Sequence, residues 1–163
     1  MNRLRLAIIF DNSLRPDTTG FYCKIALSEL ADVTHFLPSQ LGSIDPQRFD
    51  AFIYIDDSLD YMPPSQLRPS IWWAIDTHLN FDRCLQKAQR CNIVFSAQRG
   101  GVESFRSYGI DAEWLPLACD PVLHRPHQLG NEFDWCFVGH LIGNERQHLI
   151  KRMQQEFPNG FVG

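Results

Sequence analysis

The residues best suited to chemistry are Asp76 and His78, in the run Asp76-Thr77-His78 that directly follows the apolar block Ile71–Ile75. A carboxylate and an imidazole this close can act on one hydroxyl, one as general base and the other as partner, provided both reach a common point. The plainer alternative is that Asp76 caps a following helix and His78 lies on the surface. Other polar clusters sit in the same relation to apolar blocks. Asp11-Asn12-Ser13 follows Leu6–Phe10, Asp56-Asp57-Ser58 follows Ala51–Ile55, and Ser96-Ala97-Gln98-Arg99 follows Ile93–Phe95. Gly139-His140 follows Trp135–Val138.

Two segments have the makings of anion sites, because the backbone N–H groups that open a helix can hold a negative group. Arg15-Pro16-Asp17-Thr18-Thr19-Gly20 enters a helix but lacks both GxGxxG and the Walker pattern, and Thr19 serves equally as a plain N-cap. Gly139 to Arg146 repeats the arrangement, with Asn144 as a cap and Gln147 three residues on, the spacing of a capping box. Arg146 in that first turn can hold a phosphate with two parallel N–H bonds, or be an ordinary solvated arginine. The histidines His124, His127, His140 and His148 show neither HExxH nor CxxC spacing, so no metal site and no bound cofactor are expected. Asp11 with Asp56 and Asp57 partly matches the acidic pocket of phosphate-accepting receiver domains. Ser96-Ala97-Gln98, however, supplies no lysine where that pocket needs one.

The elements that must carry these residues can be read from hydrophobic pattern. Leu4–Phe10, apolar from Leu6 onward, and Ala51–Ile55 are blocks without alternation, the mark of strands buried on both faces. Val33–Phe36, Ile71–Ile75, Ile93–Phe95 and Trp114–Leu115 are further strands. A helix is expected from Gly20 to about Ala31, with Cys23, Ala26, Leu27 and Leu30 at helical spacing. Others are expected over Phe81–Gln89, over Val102–Tyr108 ending at Gly109, and over Asn144–Phe157. Strands alternating with helices imply an α/β fold, a parallel sheet with helices on both faces. In such sheets ligands bind beyond the carboxyl ends of the strands, which is where the polar clusters lie.

Composition narrows the partners. With a net charge of -4 and fifteen scattered Lys and Arg, the chain has no basic surface for nucleic acid. The longest apolar runs are about five residues against roughly 20 for a spanning helix, so no transmembrane segment is expected. Five cysteines without paired spacing, and no export signal, point to reduced thiols in the cytoplasm, buried and inert. Oligomeric state is left open.

In this order the segments resemble the bacterial CgeB-type, spore-maturation-protein-like glycosyltransferases. The resemblance is carried by Thr18-Thr19-Gly20-Phe21-Tyr22, Trp72-Trp73-Ala74-Ile75-Asp76-Thr77-His78 and Val94-Phe95-Ser96-Ala97-Gln98. It is clearest in Trp114-Leu115-Pro116-Leu117-Ala118-Cys119-Asp120-Pro121 and in Phe133-Asp134-Trp135-Cys136-Phe137-Val138-Gly139-His140, with Arg146 downstream. The resemblance implies a GT-B architecture of two Rossmann-like domains. Residues 1–126 would form the N-terminal, acceptor-side domain, and residues 127–163 a linker and the opening strand–helix unit of the donor-side domain.

It further implies metal-independent transfer from a nucleotide-sugar donor to an acceptor hydroxyl. Asp76 and His78 would be catalytic, while Asp11, Thr19, Gly20, Asp56, Gln98 and Arg99 would line the acceptor side. Gly139, His140 and Arg146 would meet the donor phosphates. A non-catalytic sugar or nucleotide binding module and a sugar-nucleotide epimerase are the alternatives. The strand beginning at Phe161-Val162 suggests a truncated donor domain, so the chain alone is expected to be inactive in transfer and poorly soluble or oligomeric.

Overall fold

The computed structural model describes residues 3–13, 18–126 and 130–163, which form two compact units, Met1–Leu123 and His124–Gly163. The larger unit is an α/β domain. Its strands are β1 (Arg5–Ile9), β2 (Asp32–Phe36), β3 (Ala51–Ile55), β4 (Ser70–Ala74), β5 (Ile93–Ser96) and β6 (Ala112–Trp114). They pair in parallel throughout, in the order β2-β1-β3-β4-β5-β6. Helices α1 (Thr19–Ser28), α2 (Phe81–Ala88) and α3 (Arg99–Ser107) and two 3₁₀ turns, Pro38–Ser43 and Pro46–Arg48, make the connections. The architecture is Rossmann-like.

Strand alternation sends successive side chains to opposite faces, and each face builds its own core. Ala7, Ile9, Phe52, Tyr54, Trp72, Ala74 and Val94 pack with Cys84 and Ala88 of α2 and with Val102 and Phe105 of α3. Ile8, Phe10, Ile55 and Trp73 pack on the other face, with Phe21, Cys23 and Leu27 of α1. Helix α2 is capped by Asn80, whose side chain accepts from Arg83 N at 3.1 Å.

Helix α3 starts three residues earlier than the sequence pattern implies, and Gly100-Gly101 sits inside its first turn. Gly101 belongs there for a packing reason. A Cβ on it would lie 2.3 Å from Ser96 Oγ and 2.6 Å from Thr77 Oγ1, so only glycine lets α3 approach the strand ends.

The smaller unit consists of β7 (Trp135–Phe137), α4 (Asn144–Glu156) and β8 (Gly160–Val162), with β7 and β8 paired in parallel. Phe133, Val138, Ile142, Leu149 and Phe161 are exposed in it. Cys84 is buried as expected, and Cys23 and Cys91 are half-buried, but Cys119 and Cys136 are exposed. The expectation of five buried thiols is therefore corrected. Cys136 lies in a two-stranded ribbon with an uncovered face, and Cys119 in an irregular segment after β6. No helix among the described residues is long and apolar enough to cross a membrane.

Candidate functional site: a carboxylate-lined cavity at the switch point

In this strand order β1 lies between β2 and β3, so the chain leaves the ends of β1 and β3 toward opposite sides of the sheet. That divergence opens a crevice, the position at which open α/β sheets bind ligands. A cavity of about 370 Å³ occupies it, lined by the ends of β1, β3 and β4 and by the first turn of α1. Asp11, Asp56, Asp57 and Asp76 all reach it, together with Thr18, Thr19 and Gly20.

The four carboxylates differ in what they do. Asp56 is committed to the fold, its side chain 1% exposed. One oxygen accepts from Ile75 N and Asp76 N, each at 3.2 Å, and the other accepts from Ser58 N at 3.2 Å and lies 3.5 Å from Arg83 Nη2. It fixes where Asp76 stands and has no capacity left for a ligand, which changes its expected role.

Asp57 ties β3 to β1. Its oxygens accept from Asp11 N at 2.9 Å and from Leu59 N at 3.1 Å. Burial pushes its pKa up, against the pull of those two amides and of Lys87. Asp11 accepts from Ser13 N at 2.9 Å and Ser13 Oγ at 2.6 Å, and these bonds hold its carboxyl below the usual range. The half-buried Asp76 carboxylate accepts no hydrogen bond from any described residue.

Behind the 56–59 turn stand two cations that sequence reasoning missed. Lys87 is fully buried, donates to Leu59 O at 2.8 Å, and lies 4.0 Å from the Tyr61 ring and 4.8 Å from the Trp72 ring. Burial pushes its pKa down, while Asp57 and Asp56 pull it back up. Arg83 Nη1 donates to Ser58 O. Ser58 itself adopts φ 64, a left-handed conformation uncommon for serine, which these contacts hold in place. The one signal in the sequence was position: Lys87 is three residues after Cys84 and next to Ala88, on the edge of the buried face of α2.

At the mouth of α1 the N-cap is Thr18, whose Oγ1 accepts from Phe21 N at 3.4 Å. Thr19, expected as the cap, is the first helical residue instead. Gly20 is buried, and a Cβ there would lie 2.3 Å from Phe10 Cγ, so glycine is what lets α1 start against the end of β1. Residues 15–17 of the expected anion loop lie outside the described residues.

The expected Asp76–His78 pair does not converge. His78 is exposed, and its Nδ1 lies 2.7 Å from Gln98 Nε2, while Gln98 Oε1 accepts from Thr77 Oγ1 at 2.7 Å. Gln98 bridges the Thr77 hydroxyl and the His78 ring. His78 and Gln98 thus form a separate polar cluster over β4 and β5, outside the residues that line the cavity. Asp76 does not cap α2 either, since Asn80 does. Arg99 leaves the cavity as well, its guanidinium 3.8 Å from the Trp114 ring centre.

The smaller unit supplies the expected donor-side residues. Gly139 has φ 152, and its N–H donates to Gly163 O at 3.2 Å. Arg146 Nη1 donates to His140 O at 2.6 Å, and its guanidinium lies 6.0 Å from the Phe137 ring. The capping box centred on Asn144 is not formed. Gly143, at φ 96, takes the N-cap position, and Gln147 Nε2 donates to Leu141 O at 3.0 Å.

Among the described residues no group of three His, Cys, Asp or Glu is placed to hold a metal ion. Fold and cavity together define a Rossmann-like α/β protein with a ligand-sized, carboxylate-lined crevice at its switch point. No protein-family model, curated protein or solved structure matches the chain.

Proposed function

We propose that the chain carries the acceptor-side domain, and the opening of the donor-side domain, of a metal-independent GT-B-type glycosyltransferase using a nucleotide-sugar donor. The observation that carries this reading is the Asp76 carboxylate. It lines the switch-point cavity and, unlike Asp56 and Asp57, accepts no hydrogen bond from the described residues. A free carboxylate beside a crevice of this size suits removal of a proton from an acceptor hydroxyl.

In the proposed step Asp76 takes that proton as the hydroxyl oxygen bonds to the anomeric carbon. The bond from that carbon to the nucleoside diphosphate breaks, and the diphosphate leaves with the electron pair. By the resemblance, His140 and Arg146 would receive its charge, while the Gly139 N–H is already given to Gly163 O. Asp11 and the first turn of α1 offer hydrogen bonds to the acceptor's other hydroxyls, and the absence of paired cysteines fits a cytoplasmic setting.

One observation favours a binding module without transfer. Arg146 is already engaged with His140 O, and Glu145 in the first turn of α4 opposes a phosphate at that helix end. The deciding measurement is turnover of a panel of nucleotide sugars by the native protein and by Asp76→Asn. A fall of about 100-fold or more in turnover, with an unchanged melting temperature, is expected for loss of a general base. Unchanged turnover removes Asp76 from the mechanism. Calorimetric binding of the donor without transfer or hydrolysis establishes the binding module instead.

A further inference from the structure

On the face of the sheet that α1 covers, packing stops short. Ile53, Ile71, Trp73 and Phe95 line a groove of about 630 Å³, walled on one side by α1 and on the other by residues 115–122. The second wall is held to the sheet by Trp73 Nε1, which donates to Leu115 O at 2.9 Å. The volume is that of a small-molecule site, and the floor is almost wholly apolar. On the α1 wall Cys23 is half-buried, and burial pushes its thiol up to about 11.

This groove is continuous with the polar cavity: Thr19, Tyr22 and Ile55 line both. One turn of α1 therefore has carboxylates at one end and an apolar trough at the other. A ligand spanning both must be polar and hydroxyl-bearing at one end and apolar along the rest. A second copy of the chain would cover the apolar groove but would leave its continuity with the polar cavity without a role.

We propose that the groove binds the apolar body of the acceptor, which is an amphiphile with its hydroxyl-bearing head at Asp76 and an alkyl or prenyl chain over Trp73 and Phe95. The proposal rests on reading the cavity as the acceptor site.

The test uses octyl glucoside below its micellar concentration, with glucose and 1-octanol as its separate halves, followed through backbone amide shifts of the full chain. Octyl glucoside is expected to shift amides at both Asp76 and Ala26, and to bind at least about tenfold tighter than either half, as burial of several methylenes implies. Ala26→Trp, at an exposed site on α1, fills the groove and should bring the octyl glucoside to glucose affinity ratio toward one. Ala118→Trp on the opposite wall should do the same.

Octyl glucoside binding no tighter than glucose overturns the proposal, as does a ratio untouched by both variants. Amide shifts that track dissociation of a dimer in sedimentation overturn it too, because a second copy is then the occupant. If Asp76→Asn spares turnover while the groove variants still abolish the octyl advantage, the transfer reading fails and the amphiphile site stands. If turnover depends on Asp76 but octyl-bearing acceptors gain nothing over glucose, only the amphiphile inference fails.

Discussion

Trp72 and Trp73 are neighbours in β4 and point to opposite faces of one sheet, and almost everything about them differs. Trp72 is fully buried beneath α2 and α3, with the Lys87 ammonium over its ring and no hydrogen-bond partner for its indole N–H among the described residues. Trp73 is 7% exposed, borders the groove, and uses its N–H to hold Leu115. The face under α2 and α3 is closed and serves the fold. The face under α1 is left open, and there the same residue type secures the wall of a site.

The largest effect that would test this contrast is the loss of Trp72. Trp72→Ala should cost about 3–5 kcal/mol in urea unfolding, as large-to-small changes in closed cores do. A small cost would mean that face is less well packed than its burial indicates. Next in size is Asp56→Ala, expected to cost about 3 kcal/mol, because it takes the carboxylate partner from the half-buried Arg83 and from the part-buried N–H groups of Ile75 and Asp76. Trp73→Phe should cost only about 1 kcal/mol, the worth of one hydrogen bond. It should nevertheless speed hydrogen exchange across residues 115–122 selectively, and uniform acceleration would remove the tethering role.

The cysteines sharpen the contrast without changing the fold. Cys84 on the closed face and Cys23 beside the groove are both pushed up to about 11 by burial, so neither is singled out as the more reactive thiolate. Access then favours Cys23, which is half-buried where Cys84 is buried, and Cys23 should label about tenfold faster. The sign of the pH effect follows from the same shift. A thiol raised from 9.0 in the folded protein contributes stability that is complete below pH 9.0 and is lost as pH rises to about 11. Replacing Cys84 with alanine should flatten that alkaline fall in the urea midpoint.

The strands were legible because a parallel sheet covered on both faces writes itself as continuous apolar runs, as Ala51–Ile55 does without a single error of boundary. Boundaries slipped where polar residues join the ladder: Ser70 opens β4 and Ala112-Glu113 form most of β6. Gly100 and Gly101 hid the start of α3, since the close approach they permit is a tertiary fact.

At the site, the post-strand rule found Asp11, Asp56 and Asp76 because it depends only on topology. It could not rank them, because the backbone amides that occupy Asp56 and Asp57 come from other strands and turns. His78 was grouped with Asp76 by spacing, yet a two-residue step past a strand end gives no fixed direction. Lys87 was illegible for the usual reason: lysine reads as surface until an aromatic pair and a carbonyl are seen to surround it.

The bond from Asp11 N to Asp57 Oδ2 joins residues 46 apart in the chain, across the ends of two strands with β2 and two 3₁₀ turns between them in sequence. Nothing local can form it. The crevice it helps to frame therefore exists only once β1 and β3 are paired, which requires a long-range loop closure. An occupant of that crevice also acts as a molecular rivet, binding only the finished sheet and shifting the whole folding equilibrium of the larger unit by mass action.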